Sequence, residues 1–204
     1  MTAPYKIINF LIKYGNITEQ ICTSNSLDNL ENIISSSDSK IIRFNKRDIV
    51  QRAGEKAKKA YIIKKGLLRS YTIDEKGKEH IFMFAPEGWV ISDIESHAND
   101  AKAVLHIDAL ENTEVIAFNK DLIDTSKLPM DSVLKEFYRL LKHVGVLQRR
   151  VIMLMSAPAK LRYEHFLETY PQITNRVPQR MIASYLGVTP EALSKLRGEI
   201  ARGK

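Results

Sequence analysis

The chain has 204 residues, a formal net charge of +7 and 44% hydrophobic residues, enough for one large or two small domains with a buried core. Its single cysteine, Cys22, rules out an intrachain disulfide and any iron–sulfur or cysteine-rich zinc site built from one chain, so no cofactor or metal is expected. No apolar run approaches the roughly twenty residues that cross a bilayer and no signal-peptide pattern opens the chain, so a cytoplasmic protein without membrane association is expected, its basic charge suiting a polyanionic partner.

Residues 1 to about 40 read as two loosely amphipathic helices, around Ile7–Ile12 and Leu27–Ile34. From Ile41 the pattern changes to short β runs with turn residues between them. The predicted strands are Ile41–Phe44, Ala60–Ile63, Leu67–Ile73, Glu79–Phe84, Val104–Leu110 and Glu114–Phe118. Asp74-Glu75-Lys76-Gly77 reads as a hairpin loop with Gly77 in the left-handed position, and Gly66, Pro86 and Gly88 mark further turns. Strands this short and closely spaced predict an antiparallel sandwich or roll. Trp89 with Phe82, Phe84 and Met83 could line an apolar effector pocket inside it; the alternative is that they are simply roll core.

From about Asp131 apolar residues recur in steps of three and four: Leu134, Phe137, Leu141, Val144, Gln148, Val151 and Met155. This is an a/d seam on a helix of roughly 40 Å. Leu140, Leu147 and Leu154 form a second stripe beside it. One helix with two apolar stripes can face the roll on one side and a second copy of itself on the other, so Phe137, Leu141, Val144, Gln148, Val151 and Met155 are the expected dimer interface. Ala157-Pro158-Ala159 breaks the helix and is the candidate hinge. A further helix is predicted from Lys160 to Tyr170, stopped by Pro171.

The last segment reads as a helix-turn-helix. Ala183 permits close approach of the two helices, Gly187 supplies the turn, and Ile182, Leu186, Leu193 and Leu196 are the apolar set between them. Thr189 and Pro190 stand at the N-cap and first position of the second helix. A helix presented this way commonly enters the major groove of DNA. Glu191 and Lys195 are the expected base contacts, with Ser194 a weaker one; Thr189 can bond a phosphate as well as cap, and Gln179 and Arg180 are expected on the DNA backbone.

The order of β roll, long helix, hinge and helix-turn-helix resembles the bacterial Crp/Fnr family of transcription regulators over roughly residues 40 to 200. The runs that carry the resemblance are Tyr61-Ile62-Ile63-Lys64-Lys65-Gly66-Leu67-Leu68-Arg69, Asp74-Glu75-Lys76-Gly77-Lys78-Glu79 and, most specific, Ile182-Ala183-Ser184-Tyr185-Leu186-Gly187-Val188-Thr189-Pro190-Glu191. The resemblance implies an α+β protein: an antiparallel β-roll (double-stranded β-helix) sensor domain in residues 1–130, a dimerisation helix in 131–156 and a DNA-binding domain in 157–204. Lys204 leaves no strands after the second helix for a wing. It also implies a homodimer on double-stranded DNA, contact with RNA polymerase, and a small-molecule effector in the roll. A sensor whose helix-turn-helix has lost specific DNA recognition is the alternative.

Two regions depart from the family pattern. Members that hold a cyclic nucleotide do so with a Gly-Glu pair and a following Arg; here Ser92 and Asp93 stand for the pair, and Lys102, Ala103 and Val104 stand near the Arg. Lys102 could supply charge but not a bidentate fork. Phe82, Trp89, Ser92, Asp93 and Lys102 are therefore candidates for an effector site that does not take cyclic AMP. At the DNA-binding end, Pro190 replaces a common Arg and Lys195 stands where an Arg is frequent. The histidines show no H-x-H spacing with a later Glu, so a metal-dependent β-roll enzyme is not expected. Nucleophile-elbow, P-loop and dinucleotide signatures are lacking as well.

Overall fold

The computed structural model describes residues 40–57, 59–119, 144–145 and 147–202. The predicted N-terminal helices and Leu134, Phe137, Leu140 and Leu141 of the seam lie outside these residues. The described part falls into two compact units, one of residues 40–119 with 177–185, the other of residues 144–176 with 186–202.

The first unit is an antiparallel roll of eight strands. They are β1 (Lys40–Phe44), β2 (Ile49–Gln51), β3 (Lys59–Lys65), β4 (Leu68–Ile73), β5 (Glu79–Ala85), β6 (Val90–Ile91), β7 (His106–Ala109) and β8 (Thr113–Asn119), with a short helix α1 (Ile94–Asn99) after β6. They form two four-stranded sheets, ordered β1-β8-β3-β6 and β2-β7-β4-β5. The sheets meet through one apolar cluster. Tyr61, Ile63, Ile91, Val115 and Ala117 of the first sheet pack with Leu68, Ala85, Ile107 and Ala109 of the second. Fully burying an aliphatic side chain stabilises by about 1.5–3 kcal/mol, so Ile63, Leu68, Ile107 and Val115, all at 0% exposure, anchor the roll.

Local turn chemistry sets the register. Asp74 accepts from the Lys76 and Lys78 amides at 2.9 Å each, and Gly77 donates to the Asp74 carbonyl at 2.9 Å with φ +77°, which closes the β4–β5 hairpin as expected. At Gly66 the φ of +103° is joined by a steric limit. A β-carbon there would lie 2.5 Å from Thr113 Oγ1 and 2.7 Å from the Asn112 carbonyl oxygen, so only glycine fits.

The six predicted strands appear within one or two residues of their expected ends. Two more, β2 and β6, are too short to show a period and exist through pairing with β7 and β3. Opposite Ser70 and Tyr71 of β4, strand β5 carries one extra residue: Ser70 pairs Met83 and Tyr71 pairs Ile81, leaving Phe82 in a bulge.

The other unit is helical. Residues 147–156 (α2) form the described end of the long helix, and α3 (Ala159–Thr169) follows after the break at Ala157 and Pro158. Tyr163, Phe166 and Tyr170 stack along α3, with ring centroids 6.4 and 5.5 Å apart, and all are buried. Next in sequence come α4 (Gln179–Leu186), which up to Tyr185 belongs to the unit of the roll, and α5 (Pro190–Ala201), which belongs to the helical unit; Gly187, Val188 and Thr189 join them. Gly187 adopts φ +66°, the left-handed turn expected of it. Ile182, Ala183, Leu186, Leu193 and Leu196 are all buried.

Candidate functional site

The start of α5 is built as its sequence predicts. Thr189 is extended (φ −80°, ψ 156°) and its Oγ1 accepts from the Ala192 amide at 3.2 Å, with Pro190 in the first turn. Glu191 then stands over the positive end of the helix. Its own backbone N–H and the Thr189 hydroxyl hold its carboxyl below the usual carboxylate range, so it is an anion and a pure acceptor at neutral pH.

With Leu193 and Leu196 buried, the opposite face of α5 is left to solvent. Pro190, Glu191, Ser194, Lys195, Gly198 and Arg202 line one shallow open concavity there, spaced three and four residues apart. The face thus offers one acceptor carboxylate, one hydroxyl and one ammonium over two turns, which are the groups that read base edges. Thr189 is exposed beside them, and Gln179 and Arg180 are exposed at the start of α4. Sequence reasoning missed Gly198 and Arg202. The i+4 and i+8 spacing from Ser194 was available as a signal, but Arg202 lies one residue beyond the end of α5.

The second candidate region, between β6 and β7, is organised by Asp93. This residue is 1% exposed and caps α1. Its Oδ1 accepts from the Ser96 amide at 3.0 Å, and its Oδ2 accepts from the Val104 and Leu105 amides at 2.8 and 2.9 Å. Ser96 continues the network: its hydroxyl accepts from the Ala57 amide at 2.9 Å and donates to the Ala101 carbonyl. The backbone N–H groups that could cradle a bound anion here already hold a carboxylate of the chain itself.

The remaining effector candidates do not converge. Lys102 is exposed, in an isolated bridge with Lys56, and Ala103 beside it is buried. Trp89 is half-buried and packs on the roll core with Met83, whereas Phe82 is not part of that cluster because the bulge turns it out of the alternation. Ser92 is half-buried between β6 and α1. Among Phe82, Trp89, Ser92, Asp93 and Lys102 there is no arginine that could make a bidentate fork on a phosphate. Among the described residues no cluster of three or more His, Cys, Asp or Glu side chains could hold a metal ion. No described helix is long and apolar enough to cross a membrane.

Residues 41–125 match the cyclic nucleotide-binding domain family. Across 88% of the chain the sequence is 26% identical to Electron transport regulator A of Shewanella oneidensis, covering 74% of that protein. It is 27% identical over 192 residues to Regulatory protein HlyX of Actinobacillus pleuropneumoniae, 88% of this chain and 78% of that one. The fold matches a transcriptional regulator of the CRP/FNR family from Thermus thermophilus, TM-score 0.63 at 17% identity, over 80% of this chain and 87% of that one. The chain thus resembles regulators of the Crp/Fnr family in sequence and in fold. FixK2 of Bradyrhizobium japonicum shares this fold with a TM-score of 0.68 at 18% identity, over 81% of this chain and 85% of the other. The two relatives matched in sequence are named as regulators, not enzymes.

Proposed function

We propose that the protein is a homodimeric, sequence-specific DNA-binding transcription regulator whose roll answers to an effector other than a cyclic nucleotide. The carrying observation is the capped, solvent-facing row of Glu191, Ser194 and Lys195 on α5. Selection from a random duplex library tests it: the expected product is a pseudo-palindrome with half-sites about 34–36 Å apart. Binding without sequence preference would favour a sensor that no longer reads DNA. Each base contact is worth about 1–3 kcal/mol of discrimination. Glu191→Ala and Lys195→Ala are therefore each expected to lower the ratio of specific to nonspecific affinity by about tenfold in competition gel shifts. Wild-type ratios in both variants would remove α5 from the reading role.

The dimer reading is supported by the end of the long helix. Val144, Val151 and Met155 are 51%, 55% and 82% exposed, and Gln148 between them is exposed too. These are the a/d positions of the seam, on a face the described residues leave open. Val151→Glu places two like charges against each other at a two-fold seam, and a shift to monomer is expected in sedimentation velocity. An unchanged dimer would mean that the seam packs within one chain.

Asp93 supports the effector reading. Calorimetry is expected to show no saturable binding of cyclic AMP or cyclic GMP up to millimolar concentration, and neither should change DNA affinity. An uncharged or weakly acidic ligand close to Trp89 suits the region better. Micromolar binding of either nucleotide, lost in Lys102→Ala, would overturn this.

A further inference from the structure

The far half of α5 carries a glycine that its backbone does not require. Gly198 is helical and is not among the glycines with positive φ, and glycine inside a helix is disfavoured against alanine. The side chain that its absence makes room for is that of Arg202. A β-carbon on Gly198 would lie 3.6 Å from Nη2 and 4.0 Å from Cζ of Arg202, so the guanidinium rests over bare helix backbone. The Arg202 amide donates to the Glu199 and Ile200 carbonyls, which fixes the Cα from which that side chain starts. Helical side chains lean toward the N-terminus and cover the turn before their own Cα, so a long one at 202 falls over 198.

Glu191, Lys195, Gly198 and Arg202 follow one another in steps of four, three and four, a single stripe along α5. With Pro190 and Ser194 they line the open concavity. Folding back over Gly198 carries the guanidinium about 6 Å toward Lys195, because each helical residue rises about 1.5 Å. The stripe therefore has an acceptor carboxylate at its start and two cations beyond it. Arg202 is exposed, and among the described residues no carboxylate is bonded to its guanidinium.

We propose that Arg202, seated over Gly198, is a phosphate clamp: it grips the DNA backbone at the groove wall while Glu191 and Lys195 meet base edges. The inference deepens the DNA-binding reading above and rests on it. A recognition helix meets base edges with its N-terminal residues. From Glu191 to Gly198 the stripe runs about 10 Å, close to the roughly 12 Å width of the major groove, so the group at its far end arrives at the wall, where the phosphates are. The guanidinium is permanently charged and offers two parallel N–H donors that match two phosphate oxygens. Such a contact supplies register and affinity but no sequence preference.

The test compares the full-length protein with Arg202→Ala, Arg202→Lys and Gly198→Leu, the last keeping every charge but filling the seat. Gel shifts on a duplex selected by the wild-type protein, and on a scrambled duplex, are run between about 50 and 200 mM salt. Each phosphate contact contributes about 0.9 to the slope of log affinity against log salt. Arg202→Ala and Gly198→Leu are each expected to lower that slope by about 0.9 per bound subunit on both duplexes. The ratio of specific to nonspecific affinity is expected to stay within about twofold of wild type, unlike that of Lys195→Ala. Arg202→Lys is expected to keep the wild-type slope, since an ammonium still neutralises the phosphate. An unchanged slope in Arg202→Ala overturns the clamp, and a lower thermal midpoint in the same variant would then make Arg202 a cap on the negative end of α5 and nothing more. A lowered specificity ratio in Arg202→Ala overturns it too, by placing the side chain on a base. An unchanged slope in Gly198→Leu overturns the seat. If the wild-type protein selects no duplex, the DNA-binding reading has failed and the clamp falls with it; a selected duplex bound with equal slopes by wild type and Arg202→Ala sinks the clamp alone.

Discussion

Replacing Arg69 with methionine is expected to cost about 3–5 kcal/mol of stability, enough to unfold a marginal domain. Arg69 stands on β4 between Leu68 and Ser70, facing away from the apolar cluster, and its side chain is only 6% exposed. Its Nε and Nη2 make a fork on Asp108, whose side chain is 12% exposed, and its guanidinium lies 4.1 Å from the Tyr71 ring centroid. Burial opposes the charge on Arg69, but hydrogen bonds to Asp108 and Glu79 outweigh it and raise the guanidinium pKa further. Removing the cation strands the Asp108 carboxylate with no counter-charge in a site closed to water; Glu79, 45% exposed on its side chain, keeps much of its hydration and contributes little. The double substitution Arg69→Met with Asp108→Leu is expected to recover most of the loss, because an apolar pair of similar volume leaves no orphan charge. Urea titrations of the two variants check this. A single variant within about 1 kcal/mol of wild type would show that Asp108 finds water or another partner.

Asp93→Ala is expected to be nearly as damaging, at about 3 kcal/mol or more, because it leaves the Ser96, Val104 and Leu105 amides without an acceptor at one stroke. Asp93→Asn keeps the shape and is informative for that reason. One amide oxygen can replace either Oδ1 or Oδ2 but not both, and its NH2 group then faces a backbone donor. Roughly half the loss is expected to remain in Asn, measured by the same titrations. Asn at wild-type stability would mean that one carboxylate oxygen is dispensable, and the view of Asp93 as an internal anion would have to be given up.

The sequence by itself determined those parts of the chain whose physics is settled within a few residues. Thr189 and Pro190 fix the start of α5, Gly187 fixes the turn before it, and Asp74 with Gly77 closes the β4–β5 hairpin, since a cap or tight turn needs only a neighbouring amide and a permitted φ. The break at Ala157 and Pro158 and the exposed face of Val144, Val151 and Met155 follow from spacing and the missing proline N–H in the same way. Tertiary structure alone decided the rest, because each case turns on a partner far away in sequence. Strands β2 and β6 are too short to hold a β conformation without β7 and β3 beside them. Arg69 reads as one polar residue in an apolar run until Asp108, thirty-nine positions on, explains how its charge is buried. Phe82 leaves the inner face because register, not composition, decides which side of a sheet a residue occupies, and the bulge shifts that register by one. Asp93 looked like a shortened version of a ligand-binding carboxylate; the amides of Val104 and Leu105, brought to it by the course of the chain between α1 and β7, make it a fixed part of the frame.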